Sequence, residues 1–66
     1  MSKDLVRAAT RLGFALDRQK GSHAIYVRGT ARVVIPLHAG RDVKRKTLAG
    51  ILDDLGITEE QLRELI

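Results

Sequence analysis

The sequence contains no cysteine, which excludes a disulfide staple and a thiolate metal site and fits a reducing cytoplasm. No stretch approaches the roughly 18 apolar residues of a spanning helix, and the N-terminus carries no apolar signal-peptide core. The chain is therefore expected to be soluble and cytoplasmic, with no membrane partner. It has no internal repeat, linker or low-complexity segment, and a single proline, Pro36. With 66 residues, one domain over 1–66 is expected. A chain this short buries only about 60% of the surface its unfolded form exposes, and its core leaves a net stability of about 3–5 kcal/mol.

Acidic residues are scarce where basic ones are dense. Residues 18–46 carry Arg18, Lys20, Arg28, Arg32, Arg41, Lys44, Arg45 and Lys46 against Asp42 alone, a net +7. Residues 1–17 carry Lys3, Arg7 and Arg11 against Asp4 and Asp17, a net +1. Residues 47–66 carry Arg63 against Asp53, Asp54, Glu59, Glu60 and Glu64, a net −4. A basic middle is the footprint of a surface that meets a polyanion; a merely solvated surface is the plain alternative.

Leu5, Ala8, Ala9 and Leu12 recur at i, i+3, i+4 and i+7, the apolar stripe of a helix, with Ser2 as the expected N-cap and Gly13 as the stop. From Phe14 the period drops to two, Phe14 and Leu16 alternating with Ala15 and Asp17. Gly21-Ser22 reads as a turn. Ile25 and Val27 then alternate with Ala24 and Tyr26 as a second strand, the Ile25 side being assigned to the core. Gly29-Thr30 breaks that strand, and Arg32 to Pro36 forms a third with Val33 and Ile35 in phase. Pro36 suits a strand end, because it has no N–H for a ladder. Short connections imply an antiparallel meander. Residues 37–42 read as a loop. Leu48, Ile51, Leu52 and Leu55 repeat the helical stripe, with Asp42 as the expected N-cap and Gly56 as the stop. Thr58 followed by Gln61 is a capping box for a last short helix carrying Leu62 and Leu65. The expected fold class is α+β in two layers: a three-stranded antiparallel sheet with helices on one face, plus a short C-terminal helix.

Two places carry chemistry. Lys44, Arg45 and Lys46 fall in the first turn of the second helix, against a helix dipole that favours anions there by about 0.3–1 kcal/mol per charge. Free N–H groups together with three cations suit a phosphate. His23 is the candidate catalyst, since histidine titrates near pH 6.5 and moves protons at neutral pH. In RNA a base that deprotonates the 2′-OH, with cations to hold the charge gathering on phosphorus, needs no metal or other cofactor. Arg18 and Lys20 lie nearby in sequence, and the backbone at Ser22 is placed to approach a phosphate. Strict alternation nevertheless puts His23 in phase with Ile25 and Val27, so a buried structural histidine stays open beside the catalytic one. His38 is an auxiliary acid or base, or a loop residue with no role. Two histidines without carboxylates at ligand spacing make a poor metal site, and Ser22 lacks a carboxylate to complete a triad. Phe14 is read as core. Tyr26 stacks on a base only if it faces the open side of the sheet. A non-catalytic RNA-binding module with the same basic face is the alternative function, and a domain that docks an acidic partner through residues 41–46 is a third.

Gly13-Phe14, Arg18-Gln19-Lys20-Gly21-Ser22-His23, Pro36 with His38, and Thr47-Leu48 with Ile51-Leu52 and Leu55-Gly56-Ile57 together resemble the HicA mRNA interferase toxins, over nearly the whole chain. The resemblance implies a double-stranded-RNA-binding-domain-like fold, a type II toxin–antitoxin system, endoribonuclease action on mRNA, and neutralisation by a cognate HicB-like antitoxin that covers the site in a hetero-oligomeric complex. The family's catalytic histidine carries over onto His23. Two departures stand out: Ala24 where many members place a second histidine, and Phe14 where many place tryptophan. Sheet edges or the C-terminal helix are the surfaces through which copies of the chain would pair.

Overall fold

Two glycine-led turns of two residues each lay out the sheet. The computed structural model describes residues 2–37 and 43–66. It comprises α1 (Ser2–Arg11), β1 (Ala15–Lys20), β2 (His23–Arg28), β3 (Ala31–Pro36), α2 (Arg45–Leu55) and α3 (Glu59–Leu65). The strands lie in the order β1-β2-β3, all antiparallel. Gly21, with φ +55°, opens the first hairpin loop; a positive φ in the first loop residue is the type II′ pattern, which matches the twist of the flanking strands. Gly29-Thr30 repeats the arrangement between β2 and β3.

Loop length then dictates pairing. Lys20 faces His23 across the first hairpin. Arg28 faces Ala31 across the second, so His23 faces Pro36, Ala24 faces Ile35, Ile25 faces Val34, Tyr26 faces Val33, and Val27 faces Arg32. Val33 and Ile35 are fully buried and cluster with Leu5, Ala8 and Ala9 of α1, Leu48, Ile51, Leu52 and Leu55 of α2, and Leu62 of α3. The helices therefore cover the Val33/Ile35 face of the sheet. Cross-strand partners share a face, so Ala24 and Tyr26 lie on that side, and Tyr26 packs against the cluster.

This corrects the expected phase of β2. Ile25 and Val27 face away from the helices, and so does His23. Ile25 is only 6% exposed yet stands outside the main cluster: it sits mid-sheet between Arg18 and Val34. Tyr26 is correspondingly not on the open side. Leu16 is 53% exposed because β1 is an edge strand, exposed along its whole length. A β-bulge between Leu16 and Arg18 takes Asp17 out of the ladder and sets Leu16 opposite Tyr26.

The helix stops are as expected. Phe14 N–H donates to the Ala9 carbonyl at 2.9 Å and Gly13 N–H to that of Thr10 at 3.0 Å, the paired bonds of a Schellman motif. Ile57 and Gly56 close α2 in the same way, on Leu52 and Asp53. Phe14 is buried. The capping box is formed, Gln61 N–H donating to Thr58 Oγ1 and Thr58 N–H to Gln61 Oε1. The helix starts differ. Ser2 is the first helical residue rather than the N-cap, and its hydroxyl donates to the Pro36 carbonyl at 2.7 Å, fastening the start of α1 to the end of β3. The N-cap of α2 is Lys44, with no side-chain cap; Asp42, expected there, lies outside the described residues, two positions too early to cap this helix.

Arg28, counted by sequence among the basic surface residues, holds the fold together. Its guanidinium lies 4.7 Å from the Phe14 ring centroid, and Nη1 donates to the Leu12 carbonyl at 2.7 Å, one of the carbonyls that the end of α1 leaves without a helical partner. Arg28→Ala is expected to cost about 1–2 kcal/mol in urea unfolding, Arg28→Lys most of that because it loses the planar stack, and Arg18→Ala close to nothing.

Candidate nucleic-acid interface

The face not covered by helices is built from alternate residues of each strand. β1 contributes Arg18 and Lys20, β2 contributes His23, Ile25 and Val27, and β3 contributes Arg32, Val34 and Pro36. His23 is the first residue of β2 and is exposed. Its Cβ stands about 4.5–5.5 Å from that of Lys20, the usual spacing of directly opposed pairs, with Arg18 on the diagonal at about 7–8 Å. The buried structural histidine left open by the sequence is thus excluded.

The hairpin tip is held in place. Leu37 N–H donates to the Ser22 carbonyl at 2.5 Å, extending the ladder one step past β3. Gln19 Nε2 donates to the Gly21 carbonyl at 3.1 Å. Ser22 itself is half-buried. The Arg18 guanidinium makes an ion pair with Asp17 at 3.6 Å, both side chains well exposed, a contact that contributes little in water and leaves Arg18 able to exchange partners.

A second basic site lies at the start of α2. Lys44, Arg45 and Lys46 are all exposed and the first turn carries no acid. The three cations occupy the N-cap and the first two helical positions, where backbone N–H groups have no side-chain cap, an arrangement that attracts an anion. α2 packs on β3, and its chain leaves β3 at Pro36, the partner of His23. The sheet register brings Arg18, Lys20 and His23 together; it does not by itself set the distance from His23 to Lys44, because residues 38–42 intervene outside the described residues. His38 lies in that segment. Among the described residues no group of three or more His, Cys, Asp or Glu side chains could hold a metal ion, and no helix is long and apolar enough to cross a membrane.

Arg32, which was not among the residues expected at the site, lies on this face too. The signal was present: two-residue turns make Arg32 share parity with Pro36 and hence with His23.

The chain is a small α+β domain with its helices on one side of a meander and an exposed histidine among cations on the other. The comparison with protein families gives the finer placement. Residues 2–57 match the model of the HicA toxin of bacterial toxin-antitoxin, and the chain belongs to this family. It is thus a toxin of a toxin–antitoxin system, whose other component is an antitoxin. No curated protein is matched by the chain. α3 follows the matched segment and still supplies a core residue, Leu62.

The hairpin tip also yields a test of backbone strain. Gly21→Ala meets no atom within 4 Å but keeps a φ of +55°, so the change is purely conformational and is expected to destabilise by about 1–2 kcal/mol. The same substitution at Gly50, inside α2 with open space around it, is expected to stabilise by about 0.5–1 kcal/mol. Urea unfolding of the two variants checks the opposite signs.

Proposed function

We propose that this toxin is an endoribonuclease that cleaves mRNA without a metal ion, with His23 as its general acid–base residue. The observation that carries the reading is the exposed position of His23 on the uncovered sheet face, directly opposite Lys20 and diagonal to Arg18. His23 accepts the proton of a ribose 2′-OH. The 2′ oxygen forms a bond to the adjacent phosphorus, the bond from phosphorus to the 5′ oxygen breaks, and that oxygen takes a proton from water; the imidazolium then returns its proton to the hydroxide left behind. The products are a 2′,3′-cyclic phosphate and a 5′-hydroxyl end. Lys20 and Arg18 hold the non-bridging oxygens as charge gathers on them. The backbone at Ser22 lies along the phosphate, and Lys44, Arg45 and Lys46 bind a neighbouring stretch of the RNA backbone. His38, outside the described residues, is the candidate for a second acid or base. The antitoxin neutralises the toxin by covering this face.

The test is a digest of single-stranded and duplex RNA in EDTA. Wild type is expected to cut and to leave cyclic-phosphate ends. His23→Ala is expected to keep its fold by circular dichroism and to lose at least about 10²-fold in rate, the usual scale of general acid–base catalysis. A folded His23→Ala protein that cuts at the wild-type rate ends the catalytic assignment. RNA binding without cutting by wild type supports a non-catalytic RNA-binding module instead.

Lys44→Ala combined with Lys46→Ala is expected to weaken RNA binding and flatten its salt dependence, by about 0.7 in slope for each single-strand phosphate that is no longer neutralised. An unchanged slope removes the α2 patch from the interface.

A further inference from the structure

Beyond the histidine, the uncovered face continues along the strands to a third cation. Val27 and Arg32 are opposed four residues along β2 from the His23–Lys20 pair, about 13 Å away at roughly 3.3 Å per residue. Between them lie Ile25 and Val34, the latter 37% exposed. Arg32 is exposed; Arg28, exposed as well, is taken up by its stack on Phe14 and its bond to the Leu12 carbonyl. The register positions of this face hold no carboxylate; Asp17, at the bulge beside it, is engaged with Arg18. The result is an aliphatic floor with cations at both ends and a histidine at one.

We infer that the uncovered sheet face is the track for the single-stranded RNA substrate, which runs across the strands' length from Lys20 and His23 to Arg32, and that Arg32 is a positioning residue that holds a phosphate away from the scissile bond. The inference rests on RNA being the ligand of the His23 face. The charge pattern suits a polyanion threaded past both ends. The distance fits too, since sheet faces of RNA-recognition modules take two or three nucleotides. A duplex is a rigid cylinder bound through its minor grooves and backbone over about 16 bp, and a flat sheet face of this size offers it one short line of contact. Neither described aromatic side chain is on the track, Phe14 being buried and Tyr26 packed under the helices. Bases therefore find aliphatic contact without a stacking platform, and phosphate contacts carry most of the affinity.

The test measures binding of a short single-stranded RNA with 2′-fluoro groups in place of its hydroxyls, which 2′-OH attack cannot cleave, beside the same sequence as a duplex, over a range of salt. Wild type is expected to bind the single strand more tightly. Arg32→Ala is expected to weaken single-strand binding about fivefold at about 0.1 M monovalent salt, the factor that a slope change of about 0.7 produces, with no change for Arg63→Ala, on α3. Val34→Glu, which sets a carboxylate on the floor, is expected to weaken it at least as much. Because the probe is uncleavable, the outcome is independent of nuclease activity: a shifted slope with Arg32→Ala supports the track even if wild type never cuts RNA. An unchanged slope with Arg32→Ala overturns it and leaves the role of His23 untouched. Tighter binding of the duplex overturns it as well. Loss of antitoxin binding by Arg32→Ala with RNA binding intact assigns the face to the antitoxin and overturns the track.

Discussion

Burial of Val33 and Ile35 beneath α1 and α2 is the constraint on which the sheet and its chemistry depend. Side chains of a strand alternate strictly, so fixing these two residues inward fixes Arg32, Val34 and Pro36 outward. The two-residue turns transmit that choice to the other strands without slack, since each hairpin admits one register. His23 is placed outward by its partnership with Pro36, and Lys20 by its partnership with His23. A slip of one residue would drive Arg18, Lys20, His23 and Arg32 under the helices, and unpaired charges buried in an apolar layer are very costly. The aliphatic pair on one face and the cations on the other thus enforce the same register.

Local bonds then stiffen the end of the sheet that carries the histidine. The Leu37 N–H on the Ser22 carbonyl ties the hairpin tip to the residue just past β3, and the Ser2 hydroxyl on the Pro36 carbonyl ties α1 to the same end. The far end has its own fastening, with Arg28 stacked on Phe14 and bonded to Leu12, and Arg11 donating to the Leu65 carbonyl of α3. Between these ends the bulge at Asp17 lets β1 pair with β2 while lifting a carboxylate out of the ladder. Without the bulge Asp17 would face Tyr26 on the helix-covered side; with it, Leu16 takes that place.

The element order, both glycine stops, the capping box and the helical stripes were legible because each rests on local chemistry: a 3.6-residue period, a positive φ, a hydroxyl three residues from a glutamine. The face of β2 was not legible from β2 alone. Ala24 and Tyr26 are apolar, and so are Ile25 and Val27, so alternation within the strand does not say which pair is inside. The answer lay between strands. Val33 and Ile35 share a parity that excludes the charged Arg32, and propagating the two-residue registers from them would have put Ala24 and Tyr26 opposite them and His23 outside. Ser2 and Asp42 misled for a different reason. Both are residue types suited to capping, but Ser2 is already helical and spends its hydroxyl on the Pro36 carbonyl, and the N-cap of α2 falls at Lys44, which has no side-chain cap.

The cations divide into two kinds by what their charge meets. Arg28 has an aromatic face and a carbonyl as partners within the chain, so its charge is largely used in folding. Lys20, Arg32, Lys44, Arg45 and Lys46 are exposed with no acid in their own turn or opposite them on the sheet, and Lys44, Arg45 and Lys46 sit where a helix dipole works against them. Such placement lowers stability while it raises the local positive potential, which speeds the approach of a polyanion. The acidic residues gather on α2 and α3, at Asp53, Asp54, Glu59, Glu60 and Glu64. The strands carry Arg18, Lys20, Arg28 and Arg32 against Asp17 alone, a net +3, whereas α3 carries Arg63 against Glu59, Glu60 and Glu64, a net −2. The uncovered face on which His23 stands takes its charge from Arg18, Lys20 and Arg32, with no carboxylate at its register positions.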